Sequence, residues 1–246
     1  MSGHSKWANI KNKKAKTDAA KGKIFTKIGR ELAVAAKAGA DPSTNSKLAD
    51  VIAKAKAANM PNDNIMRSIK KAAGELGNVN YEVKTYEGYG IGGSAVIVKT
   101  LTDNVNRTVG EVRHIFDKYA GNMGTSGSVS YMFENKGVLI IERTLELDED
   151  TMMELVLESG AQDFTTMDDC YEVFSAPQDF SSVRKFFEEK GYTYDEADIM
   201  MVANDKIDLS AEQMVTFEKM LDAFEDNDDI QDVYHNVNIV DDSEEE

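Results

Sequence analysis
The sequence predicts an α+β chain: an N-terminal helical domain, then two α/β domains of the ferredoxin-like, split βαβ kind, one inserted in the other. Three observations lead there. Apolar residues recur at helical spacing as far as Ala73, whereas from Tyr81 strand-like runs alternate with helical segments. Lys136–Ala203 taken alone reads β-α-β-β-α-β. The segments on either side, 79–134 and 205–246, are left to close a second unit of the same kind.

In the helical domain, residues 1–78, Phe25, Ile28, Leu32 and Ala35 form one apolar stripe, and Gly39 suits the position just past a helix end. Asp41-Pro42 supplies a cap and a first-turn proline for a second helix bearing Leu48, Val51, Ile52 and Ala55. Pro61 takes Met60 out of helical geometry and ends that helix. Ile65, Ile69, Ala72 and Ala73 mark a third, stopped near Gly74 and Gly77. Lys6–Lys16 is too charged to pack and reads as an arm whose Trp7 docks on the bundle.

Beyond Tyr81 the pattern predicts a strand at Ser94–Leu101 and a helix at Asn104–Tyr119, with Val109, Val112, Ile115 and Phe116 inward. Strands follow at Ser128–Phe133 and Lys136–Glu142. Asp148 caps a helix carrying Glu149 and Asp150 in its first turn, where the helix dipole favours acids. The remaining expectations are strands at Asp163–Thr166 and Tyr171–Ser175, a helix at Asp179–Lys190, and a strand at Ile199–Ala203. A helix at Ala211–Ala223 and a strand at Gln231–Val240 close the pattern.

Charge divides the chain more sharply than hydropathy does. The 246 residues carry a formal charge of −16, yet residues 1–71 hold 16 lysines and arginines against five acids, a surplus of +11. The remainder holds 12 against 39, or −27. Such a division implies separate surfaces with separate partners, and suggests that residues 72–246 fold alone. No apolar run approaches the roughly 18 residues of a membrane span. A single cysteine cannot form an internal disulfide, and no secretory or acylation signal is present, so a cytoplasmic location is expected.

Lys6, Lys11, Lys13, Lys14, Lys16, Lys21, Lys23, Lys27 and Arg30 fall in 25 residues that include one acid, Asp18. A charge run is commonly only a solvated face. Beside a helical bundle and in an otherwise acidic protein, this one favours a phosphate-binding surface. Gly88, Gly90 and Gly93 satisfy G-x-G-x-x-G, but a dinucleotide loop needs a helix after it and here a strand follows. The segment is read as a tight connection into that strand, with a functional loop as the lesser reading. Glu111-x-x-His114 lacks the second pair that a di-metal site requires. Cys170 stands between acids that disfavour a thiolate. No catalytic constellation, metal site or cofactor is predicted.

Gly3-His4-Ser5-Lys6-Trp7-Ala8-Asn9-Ile10-Lys11 and Lys21-Gly22-Lys23-Ile24-Phe25-Thr26-Lys27 closely resemble the opening of the YebC family. Ala55–Pro61, Tyr86-Glu87-Gly88-Tyr89-Gly90, Leu101–Asn104, Asn106-Arg107-Thr108, Glu111–His114 and Gly127-Ser128-Val129 extend the resemblance. Ile91 departs from it where proline is expected. The resemblance implies three domains, one α/β domain inserted in the other, and a non-enzymatic role in gene expression. Members are labelled DNA-binding transcriptional regulators or are linked to translation on the ribosome, including relief of stalling at proline-rich stretches.

Carried onto this chain, the resemblance marks the basic arm and the Asn106-Arg107-Thr108 turn. That turn and the loop of Gly88, Tyr89, Gly90, Gly92 and Gly93 are expected as a second contact surface; helix capping by Asn106 and Thr108 with Arg107 exposed is an equal reading. The leading functional expectation is a translation factor binding ribosomal RNA, its acidic part turned from phosphate or meeting basic ribosomal proteins. The alternative is a DNA-binding transcriptional regulator. Only Arg30 and Arg67 are arginines in residues 1–71, and lysine favours phosphate positioning over base reading, which weighs toward RNA.

Overall fold
The computed structural model describes residues 18–71 and 80–239, with side chains from residue 22 onward. Three helices come first: α1 (Asp18–Ala36), α2 (Ser46–Ala57) and α3 (Asn62–Lys70). Two four-stranded sheets with their helices follow, so the chain is α+β. The described residues fall into two compact units, one of 32–71 with 135–201 and one of 18–31, 80–134 and 202–239.

The second of these units is built on a sheet of order β3-β1-β2-β8. Its strands are β1 (Glu82–Tyr89), β2 (Ala95–Thr102), β3 (Asn122–Met123) and β8 (Ile230–His235). β1 and β2 pair antiparallel along their whole length, Glu82 opposite Thr102 and Tyr89 opposite Ala95. Helices α4 (Val105–Lys118) and α7 (Ala211–Glu225) cover one face. Val96 and Val98 meet Val112 and Phe116 of α4 and Phe217, Met220 and Phe224 of α7 there. Phe116 and Phe224 stack edge to face with centroids 5.2 Å apart. Ile97 and Leu101, on the opposite face of β2, are buried as well, so β2 is a doubly covered strand.

The other unit has strands β4 (Phe133–Glu142), β5 (Asp163–Thr166), β6 (Cys170–Ser175) and β7 (Glu196–Ala203) in the order β5-β6-β4-β7. Helices α5 (Glu149–Ser159) and α6 (Phe180–Glu189) follow β4 and β6 respectively. Leu139, Ile141, Tyr171 and Val173 pack with Met152, Val156, Val183 and Phe187. α5 starts at Asp148, whose side chain accepts from Thr151 N–H at 2.8 Å, the cap that its sequence predicts. α2 is fastened within this unit by Asp50, which accepts from Ser181 at 2.8 Å and Arg184 at 3.0 Å, and by Lys54 against Asp198 at 2.5 Å.

Several boundaries correct the sequence reading. α2 begins at Ser46 with Asn45 as its cap, because Asp41 is engaged locally by the N–H and hydroxyl of Ser43. Ser128–Phe133 is no strand: Ser130–Met132 forms a 3-10 turn, and β4 runs unbroken from Phe133 to Glu142. β1 is a strand that the sequence pattern does not predict. β8 ends at His235, with an isolated bridge from Val237 to Ile207 beyond it. The expected docking of Trp7 and the helix stop at Gly74 and Gly77 lie outside the described residues.

Candidate nucleic-acid interface
Of the nine basic residues assigned to phosphate binding, Lys6, Lys11, Lys13, Lys14 and Lys16 lie outside the described residues, as does the Lys21 side chain. The remaining three recur along one face of α1 and meet the turn between α7 and β8. Lys23 Nζ lies 2.7 Å from Asp226 Oδ1, and Lys27 Nζ donates to the Glu225 carbonyl at 3.0 Å. Arg30 Nη1 donates to Asp229 Oδ1 at 2.7 Å, the Asp228 carbonyl at 2.8 Å and the Leu101 carbonyl at 3.2 Å. This part of the basic run is bound within the fold.

Asp229 is the centre of that arrangement, its side chain only 5% exposed. Oδ2 accepts from Arg107 Nη2 at 2.6 Å and lies 2.8 Å from the Thr108 hydroxyl and 3.1 Å from that of Thr102. Burial pushes the carboxyl up, but the bonds from Arg107, Arg30, Thr108 and Thr102 outweigh it and hold Asp229 at about 2. Arg107 also reaches Asp103 at 2.9 Å. The Asn106-Arg107-Thr108 turn is therefore divided: Asn106 is exposed, Arg107 is ion-paired and Thr108 is buried. The cap of α4 is Asn104, whose side chain accepts from Arg107 N–H at 3.1 Å.

The glycine loop joins β1 to β2 as a hairpin, with a strand on each side and only a three-residue 3-10 turn, Ile91–Gly93, between them. Its glycines answer to shape. A Cβ on Gly88 would lie 2.7 Å from the Asn122 carbonyl, and one on Gly90 2.6 Å from Ser94 Oγ. Gly92 and Gly93 take φ of 68° and 78°, conformations that glycine adopts without strain. Gly90 has an ordinary negative φ, −91°, so close approach and not handedness explains it.

Next to this loop, Glu87 is buried and its carboxylate accepts three backbone N–H groups, Gly127 at 2.8 Å, Val129 at 2.9 Å and Ser130 at 2.8 Å. Burial pushes its carboxyl up, and those bonds reverse the shift and hold it below the usual range. Tyr89 donates its hydroxyl to the Ser128 carbonyl at 2.9 Å. The Tyr86–Gly90 motif thus ties a hairpin to the segment before β4.

Cations that the sequence reading left out stand on α2 and α3. Lys47, Lys56, Arg67, Lys70 and Lys71 are exposed, and none is ion-paired among the described residues. Arg67 lies opposite Ile65 and Ile69 on α3, so helical periodicity alone was signal enough to place it outward. Glu111 accepts from Asn227 Nδ2 at 2.6 Å. Cys170 is buried, and that burial, with Glu172, Asp169 and Asp195 around it, pushes its thiol up and away from a reactive thiolate. Among the described residues no cluster of His, Cys, Asp or Glu is placed to hold a metal ion, and no helix is long and apolar enough to cross a membrane.

Comparison with known proteins places this architecture. Residues 5–75 match the model of the TACO1/YebC protein N-terminal domain, and residues 81–237 match that of the TACO1/YebC second and third domain. A probable transcriptional regulatory protein of Acetivibrio thermocellus is 59% identical over 96% of this chain and 98% of its own. A second, from Thermoanaerobacter pseudethanolicus, is 52% identical over all of both chains. The crystal structure of a conserved hypothetical protein from Aquifex aeolicus superposes with a TM-score of 0.84 at 39% identity, covering 94% of this chain and 96% of that one. The first two relatives are probable transcriptional regulatory proteins by name, and the family is not one of enzymes. With both family models together spanning nearly its whole length, the chain belongs to the TACO1/YebC family.

Proposed function
We propose that this protein is a nucleic-acid-binding gene-expression factor whose basic N-terminal region supplies phosphate contacts, while the acidic remainder is the body that positions them. The observation that carries the reading is the charge division, +11 in residues 1–71 against −27 in the rest. In its first form the target is DNA and the regulated step is transcription; the names of the relatives support this form. In its second form the target is structured RNA on the ribosome, with stalling at proline-rich stretches as the step relieved. What supports the second form is the scarcity of arginine in the basic region, one of its two arginines, Arg30, being held by Asp229. Basic ribosomal proteins would then meet the acidic body. A cytoplasmic location suits both forms.

We also read the chain as three domains, 1–78, 79–134 with 205–246, and 135–204, the last a split βαβ unit inserted in the second. The β-α-β-β-α-β element order of β4 to β7 supports this, as does the separate family model for residues 5–75.

Sedimentation of a cell extract at near-physiological salt separates the two forms. The transcriptional form expects the protein with the nucleoid, released by DNase. Ribosome association abolished by RNase and untouched by DNase contradicts it and supports the translational form.

A further inference from the structure
α2 and α3 are joined by four residues, 58–61, and the connection is fixed. Asn59 takes a left-handed φ of 57°, the Met60 side chain is buried, and its N–H donates to the Ala55 carbonyl at 2.9 Å. Pro61 then sets the start of α3. This is the connectivity of a helix–turn–helix, in which the second helix is the one presented to a partner.

What α3 presents is a close cluster of cations. Ile65 and Ile69 anchor it, and the opposite side carries Arg67, Lys70 and Lys71 with Met66, 51% exposed, alongside. Asn62 stands exposed at its start. Several cations elsewhere are matched internally: Lys23, Arg30, Lys54, Arg107 and Arg184 all meet carboxylates. With 44 acids against 28 bases available, three exposed cations within five residues, facing one acid, Asp63, form a positive face on a negative protein.

We propose that the exposed face of α3 is a second nucleic-acid contact, one that enters the major groove of duplex DNA. The chemistry fits residue by residue. Arginine bonds the O6 and N7 of guanine in pairs, and an apolar side chain such as Met66 meets the thymine methyl. Lys70 and Lys71, one turn on, reach the flanking phosphates. Asp63 disfavours phosphate at the first turn and so sets which end of the helix lies nearer the backbone. The inference rests on the reading that the protein binds nucleic acid, and adds a surface that the lysine-rich arm does not provide.

The test is fluorescence anisotropy of the full chain with labelled 30-base-pair duplexes of differing sequence across a salt series, alongside purified ribosomes. The proteins compared are the wild type, Arg67→Ala/Lys70→Ala/Lys71→Ala, and Arg67→Lys. The triple variant should melt as the wild type does, bind duplex at least tenfold more weakly, and show a slope of log K against log salt shallower by about two, from the two lysine–phosphate contacts. Arg67→Lys should keep the wild-type slope and lose discrimination between duplexes. Wild-type affinity and slope in the folded triple variant overturn the inference and leave the broader reading standing. A triple variant weakened toward ribosomes alone overturns it in favour of RNA. A wild type that binds neither polyanion removes the broader reading, and this one with it.

Discussion

Asp229 shows how much a single side chain organises here. Two arginines and two hydroxyls converge on one buried carboxylate, so its removal leaves Arg30, largely buried, without a counter-charge. Breaking such a pair from one side costs about 3–5 kcal/mol. Asp229→Ala is expected to lower the unfolding free energy in urea by that order, and a loss below about 1 kcal/mol would contradict the account. His235 adds a pH signature. Its ring is buried against Phe217, with Nδ1 accepting from Val237 N–H at 3.2 Å; burial, with Lys206 nearby, depresses it from 6.5 to about 3. Below about 6.5 the unfolded chain takes up a proton that the folded chain refuses, so stability is full above that pH and falls as acid is added. Asp229, at about 2 against an ordinary 3.8, adds its loss only below about 4. Tm should therefore be level from pH 7 to 8 and decline from about 6.5 downward; a flat profile to pH 4 would contradict the assignment.

At the scale of elements, the clearest case is β1. Glu82–Tyr89 carries no alternating apolar pattern, and both of its faces read polar, so periodicity gave no reason to expect a strand. Pairing with β2 and the satisfied burial of Glu87 make it one, an instance of strand propensity decided by context. Glu87→Gln would turn an amide N–H₂ toward backbone donors that need an acceptor. Amide exchange at Gly127, Val129 and Ser130 should then quicken while that of Ile97 and Val98 stays protected; unchanged protection at all five would refute the tie. Caps that act locally were legible, as Asp148 was. The Asp229 cluster was not, because it joins residues 30, 102, 107, 108 and 229, which are neighbours only after folding. Charge density misleads for the same reason: Lys23, Lys27 and Arg30 of the dense basic run are bound internally, whereas the sparser cations of α3 are exposed.

For the whole molecule, charge and fold do not divide at the same place. The sequence suggests cutting near residue 72, yet α1 supplies Arg30 to Asp229, and α2 supplies Asp50 to Arg184. A fragment of residues 72–246 would lose partners of both buried groups, so truncation confuses binding with folding. Charge reversal in the arm avoids this. The most direct test of the central claim is the salt dependence of nucleic-acid binding by the full chain and by Lys11→Glu/Lys13→Glu/Lys14→Glu/Lys16→Glu. Each lysine–phosphate contact adds about 0.9 to the slope of log K against log salt on a duplex. The variant is predicted to melt like the wild type, to bind at least a hundredfold more weakly, and to lose about 3.6 of that slope. A folded variant with the affinity and slope of the wild type would contradict the claim that the basic N-terminal region holds the phosphates.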